Sequence, residues 1–154
     1  MKPGSFTQHI LKNIATLGFI GYIPFASGTF GTLLGLIFFL LLKPSLPFHL
    51  IVIFAAIFIG IYASSTAERI FNEKDSSKIV IDEFTGFWVA VLYLPNAQSL
   101  LFPAFLLFRF FDIIKPLGIR KLENTLNNGT GIMADDILAG IYTNIVLQLW
   151  IKLF

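Results

Sequence analysis

Hydrophobic positions along this chain gather into runs, uncharged but for Asp135 and Asp136 in the last, separated by short polar stretches. The runs cover 29–42, 46–63, 84–94, 98–108 and 132–151. Each predicts an apolar helix. A helix that crosses the hydrocarbon of a bilayer needs about 20 residues, which the second and fifth runs supply. The other three are short, and read as tilted pairs, re-entrant hairpins or helices sheltered by neighbours. Lys43-Pro44 with Pro47, and Pro95-Asn96, break the chain where two hairpin tips would lie. The N-terminal segment is not a cleavable signal, because Lys12, Asn13, Gly18, Gly21 and Pro24 interrupt its apolar stretch. It reads as an interfacial segment ahead of the first apolar helix.

The charges fall unevenly about these runs. With loops on alternating sides, one side receives Lys2, Lys12, Arg69, Lys74, Lys78, Arg109, Lys115, Arg120 and Lys121, and the other only Lys43 and Lys152. Basic residues concentrate on the cytoplasmic side of membrane proteins, so the side with nine is expected to be cytoplasmic. The expected fold is all-α: an integral membrane bundle of about four to five apolar helices, some short or re-entrant, forming a single domain over 1–154. Composition agrees. Of the 154 residues 56% are hydrophobic and 13% charged, against roughly 45–50% and 25% in soluble domains. A net charge of +2 on so apolar a chain points to a membrane and not to nucleic acid. The absence of cysteine excludes disulfides, thiol nucleophiles and cysteine–zinc sites. His9 and His49 are the only histidines, too few for most histidine-based metal or acid–base chemistry.

All nine carboxylates fall on the expected cytoplasmic side. Glu68, Glu73, Asp75 and Glu123 lie in polar stretches and read as solvated surface. Asp82, Glu83, Asp112, Asp135 and Asp136 are flanked on both sides by apolar residues, where a carboxylate needs a partner, a metal or a proton. A helix N-terminus would stabilise one such pair by about 0.3–1 kcal/mol. It does not account for Asp112, which lies near the C-terminal end of its run. Gly86 follows Asp82 by four residues and Gly140 follows Asp136 by four. Each acid therefore shares a helix face with a glycine that lets another helix come close. Five such acids at one membrane face would repel one another without a cation. Oxygen ligands and scarce histidine favour Mg²⁺, or else Mn²⁺ or Ca²⁺. At 27–32 the segment Ser-Gly-Thr-Phe-Gly-Thr opens a helix on the same side, where Gly28, Thr29 and Thr32 are candidates to receive an oxyanion. Its glycines read equally as helix packing.

Four blocks carry a family resemblance: SGTFGT at 27–32, IVIDEFTG at 79–86, RFFDIIKPLGI at 109–119 and GTGIMADDILAG at 129–140. In order and separation they resemble the phosphatidylglycerophosphatase A family of bacterial membrane lipid phosphatases. Ser27 stands where that family usually has proline, and Thr130 replaces one of a pair of glycines. Neither departure removes a carboxylate. The resemblance implies Mg²⁺-dependent removal of the terminal phosphate of phosphatidylglycerol phosphate at the cytoplasmic face of the bacterial inner membrane. It carries Asp82, Glu83, Asp112, Asp135 and Asp136 over as the site, with Asp75 as a further acid before the IVIDE block. On this reading Asp82, Glu83, Asp135 and Asp136 hold one or two Mg²⁺, which activate a water for in-line attack. Asp112 is a further ligand or the base, Arg109 a phosphate clamp, and Lys115 the partner of the lipid's second phosphate. An aspartyl-phosphate route stays open. The alternatives are another metal-dependent lipid phosphoryl-transfer enzyme, such as a CDP-alcohol phosphotransferase, whose Asp-x-x-Asp-Gly signature is missing, and a small cation or proton transporter, which would need acids near mid-membrane.

Overall fold

The computed structural model describes residues 6–95, 97–116, 118–119, 125–126 and 128–153. Lys2, Arg120, Lys121 and Glu123, used above for charge and surface, lie outside them. The described residues form α-helices and no strand: α1 (Phe6–Ala15), α2 (Ser27–Leu42), α3 (Leu46–Phe71), α4 (Ile81–Ala90), α5 (Ala97–Ile114) and α6 (Asn128–Leu153), with one 3₁₀ turn at Ile20–Tyr22. Each apolar run falls within or across one of α2 to α6. At about 1.5 Å per residue, α3 and α6, with 26 residues each, reach about 39 Å. They are long and apolar enough to cross a membrane. With 16 residues, α2 reaches about 24 Å, and α4, with ten, only about 15 Å.

The helix ends follow local chemistry. Lys43 adopts a left-handed conformation (φ 42°) and closes α2 through its N–H on Phe39 O, with Pro44 blocking continuation. Ser45 precedes α3, Pro47 sits in its first turn, and Asn72 ends it in a left-handed cap. α1 packs its Leu11, Ile14 and Ala15 against the cluster that includes Ala63 and Ala67 of α3. Ala15 O accepts from Val80 N at 2.9 Å, which fixes the chain just before α4.

Short α4 is the centre of the bundle, with Thr85 to Val91 all buried. Its contact with α6 is backbone on backbone. A Cβ on Gly86 would lie 2.6 Å from Asp136 O and 2.7 Å from the Phe108 ring, and one on Gly140 would meet Gly86 O. The carbonyls left without intrahelical partners at the end of α4 find them on longer neighbours. His49 Nε2 bonds Trp88 O at 2.9 Å, and Asn144 Nδ2 donates to Ala90 O and Leu92 O. His49 is thus a structural cap at the end of α4 remote from the acids. The outer faces are apolar: Ile51, Phe54, Phe58 and Tyr62 form an exposed stripe on α3, and Phe102, Leu106, Phe110 and Ile113 another on α5.

Candidate active site

Asp82 and Glu83 occupy the first turn of α4, and Asp136 lies on α6 where that helix crosses Gly86. The two Asp/Gly pairs read from the sequence are the two sides of this crossing, so the glycines bring the acids together. One oxygen from each of Asp82, Glu83 and Asp136 lies within 4.8 Å of the others. Asp82 is 8% exposed and Asp136 3%. Asp82 Oδ1, Glu83 Oε2 and Asp136 Oδ2 are buried without a hydrogen-bond partner.

The electrostatics decide what such a group needs. Like charges about 4.8 Å apart repel by about 3 kcal/mol per pair at an effective dielectric of about 20, several times the contribution of the α4 dipole. Asp112 is linked to the trio through Arg109, and Asp135 adjoins Asp136 in the chain, so the five acids singled out in the sequence lie in one region of the fold. An all-carboxylate donor set is the one hard divalent cations take, and oxygens bound to one Mg²⁺ at about 2.1 Å lie within about 4.2 Å of each other. The three carboxylates, each offering one oxygen within 4.8 Å of the others, fit such an ion with small side-chain shifts.

The remaining site residues are arranged around this trio. Arg109 donates to Asp112 one turn along α5 and lies 3.9 Å from Glu83 Oε1. Its Nε is buried without a partner. Lys115, in a left-handed conformation just past α5 (φ 49°), bonds Asp135 Oδ2 at 2.6 Å. Asp135 and Asp136, adjacent in sequence, thus face different partners, and the sequence carried no signal of the Lys115 pairing across 20 residues. Asp75 is exposed on the loop before α4, its N–H donating to Glu68 Oε1.

The start of α2 lies against the acids. A Cβ on Gly28 would overlap Glu83 Oε1 and approach Arg109 Nη1 to 3.1 Å, so glycine is needed for this close approach. Thr29 is half-buried there. Thr32 is fully buried and donates to Gly28 O at 2.9 Å, its hydroxyl turned back onto the helix. Ser27 Oγ donates to Ser77 O at 2.5 Å and ties α2 to the loop entering α4, a link that nothing in the sequence pattern indicated.

Residues 13–151 match the family described as phosphatidylglycerophosphatase A. The chain is 39% identical over 136 residues to phosphatidylglycerophosphatase A of Haemophilus influenzae, covering 84% of this chain and 83% of the relative. It is 36% identical over 124 residues to the Escherichia coli protein of the same name, covering 79% and 72%. A Bacteroides thetaiotaomicron protein, provisionally named a phosphatidylinositol-3-phosphatase, is 42% identical over 138 residues, covering 82% and 84%. No solved structure matches. With its four sequence blocks converging on one acidic centre and nearly its whole length matched, the chain belongs to the phosphatidylglycerophosphatase A family.

Proposed function

We propose that this protein is a membrane-embedded phosphatase that removes the terminal phosphate of phosphatidylglycerol phosphate, using Mg²⁺ at the cytoplasmic face of the bacterial inner membrane. The observation that carries the proposal is the trio of converging carboxylates, each with one buried unpartnered oxygen, and Arg109 beside it. Asp82, Glu83 and Asp136 would hold the cation, and the family name supplies the substrate. When bound, Mg²⁺ supplies charge neutralisation at the phosphoryl oxygens and lowers the pKa of water. Arg109 stands where those oxygens arrive and has a buried donor, Nε, ready for one of them. Asp112 holds the guanidinium in place beside the trio and is the candidate to take a proton from the attacking water. The water oxygen bonds to phosphorus, the bond from phosphorus to the glycerol oxygen breaks, and that oxygen takes up a proton. Asp135 holds Lys115 beside the site through a 2.6 Å ion pair.

The membrane part of the proposal rests on where apolar surface lies. Only 22% of the most apolar window of α3 is buried, whereas the core helix of a soluble protein hides most of its length. The exposed stripes of α3 and α5 suit acyl chains. Helices running alternately up and down put the start of α2, the end of α3, the start of α4, the end of α5 and the start of α6 at one level, which the basic asymmetry marks as cytoplasmic. The chain has no cysteine of its own, so single cysteines report cleanly. One at Lys74 is expected to react with an impermeant thiol reagent only from the cytoplasmic side, and one at Lys43 only from the opposite side. Labelling of both from one side would break this topology.

Substrate choice is tested with purified protein and defined lipids. Phosphate release from phosphatidylglycerol phosphate is expected to exceed that from phosphatidylinositol 3-phosphate at least tenfold in kcat/KM. The Bacteroides relative's name makes the second lipid the right competitor. The opposite preference would move this chain to the inositol lipid, and no turnover of either would sink the phosphatase reading.

A further inference from the structure

The proposed substrate carries two phosphates, a terminal monoester and a diester that survives the reaction. The cations nearest the acids are already engaged, Arg109 with Asp112 and Lys115 with Asp135. Another basic feature adjoins the site. A cavity of about 270 Å³ lies between the 21–25 turn and the loop before α4, with Tyr22, Phe25, Ser27, Ser77 and Lys78 on its wall and no carboxylate among its described lining.

Its position follows from contacts described above. Ser27 is the neighbour of Gly28, which abuts Glu83 and Arg109, and Lys78 precedes Asp82 by four residues in the segment tied to Ser27 through Ser77 O. The cavity and the acidic trio therefore adjoin through the first turn of α2, where Ser27 lines the one and Gly28 abuts Glu83 of the other. One ammonium on its wall, that of Lys78, and one beside its Tyr22, that of Lys12, rest on aromatic rings. Lys78 Nζ sits 5.0 Å from the Phe71 centroid and Lys12 Nζ 5.9 Å from that of Tyr22, while Tyr22 and Phe71 pack edge to face at 6.4 Å. Neither lysine forms an ion pair among the described residues. A cation resting on a ring gains only about 0.5–1 kcal/mol at an exposed site, so an anion readily recruits it. Phe25 stands fully exposed on the rim, in a left-handed conformation (φ 71°) that costs a non-glycine residue energy. Phe19, 76% exposed on the same segment, adds a second apolar ring of the kind that interfacial segments bury at a lipid surface.

We infer that this cavity receives the phosphodiester of the same lipid whose terminal phosphate meets the acids, with Lys78 and Lys12 supplying the positive charge. The inference rests on the proposed phosphatase reading and adds what selects a lipid with two phosphates. The probes are short-chain phosphatidylglycerol phosphate and short-chain phosphatidic acid, which has a monoester but no diester, in neutral detergent micelles free of other anionic lipid. The double variant Lys12→Gln, Lys78→Gln is expected to raise KM for the first lipid about tenfold and leave kcat within about twofold. For phosphatidic acid, KM, or Ki if it binds without turnover, stays within about twofold, and Lys12→Arg with Lys78→Arg restores the wild-type values. Binding to protein carrying Asp136→Asn gives a readout independent of turnover, with Kd for phosphatidylglycerol phosphate weakening about tenfold in the double glutamine variant. Equal weakening for both lipids, or none for either, overturns the subsite. An effect seen only after phosphatidylglycerol is added to the micelles assigns the lysines to a separate anionic lipid and also overturns it. Absence of turnover by the wild type would instead overturn the phosphatase reading, and the binding comparison still decides the subsite.

Discussion

Asp136→Asn is expected to lower the rate of phosphate release by about 100–1000-fold while leaving the protein folded. The side chain keeps its size, so the packing of Asp136 against Gly86 is retained. What disappears is one of three charges that converge on a common point. Removing one electrostatic stabiliser of a transition state costs about 3–4 kcal/mol, which sets the expected factor. Asp82→Asn should behave alike, because its Oδ1 is equally buried and equally unpartnered. The control is Glu73→Gln, an exposed residue that accepts from Ser76 Oγ at 2.6 Å, an acceptor role that glutamine keeps. It removes the same charge from the same end of the bundle and should change the rate less than about threefold, as for a solvated group. A general field effect would hit all three variants similarly. Near-normal turnover in folded Asp136→Asn and Asp82→Asn would reduce these acids to helix-end charges.

How far the sequence reveals this arrangement depends on the range of the interactions involved. The apolar runs foretell α2 to α6 because burial and lipid exposure both demand apolar side chains. They misjudge lengths where a helix continues in polar residues. α3 runs eight residues past its apolar run, through 64–71, because Ala67 still packs on the cluster under α1. α4 stops at Ala90 although the run continues to 94, since side chains of α3 and α6 take over its last carbonyls. The convergence of Asp82 and Asp136 is legible because each acid brings its own glycine at i+4, a local pattern with a tertiary consequence. The division of labour between Asp135 and Asp136 is not. Adjacent residues on a helix point about 100° apart, and which of them meets the trio depends on how α6 is rotated against α4. Thr32 shows the same limit, since its hydroxyl bonds Gly28 O one turn back, a competition that a motif does not reveal.

Chelation of divalent cations is expected to abolish activity and to lower the melting temperature of the wild type, and Mg²⁺ to restore both. The two effects share one cause. Without a cation, Asp82, Glu83 and Asp136 hold carboxylate oxygens within 4.8 Å of one another, each residue also burying one unpartnered oxygen, and their mutual repulsion opposes folding. An ion that binds the folded state alone stabilises it by about 2.7 kcal/mol at a concentration 100 times its Kd. For a domain of this size 1 kcal/mol corresponds to about 2–4 °C, so a rise of about 5–10 °C in Tm is expected at saturating Mg²⁺. Asp136→Asn separates this from a nonspecific salt effect. It removes one of the three repelling charges, so in EDTA it should melt no lower than the wild type, and Mg²⁺ should move its Tm by less than about 2 °C. The same substitution therefore relieves the cation-free protein and disables the enzyme, as expected where a cluster of like charges is retained for function at a cost in stability. Full wild-type activity in EDTA, with a Tm indifferent to Mg²⁺, would remove the cation from the mechanism and leave Arg109 as the principal source of positive charge at the phosphate.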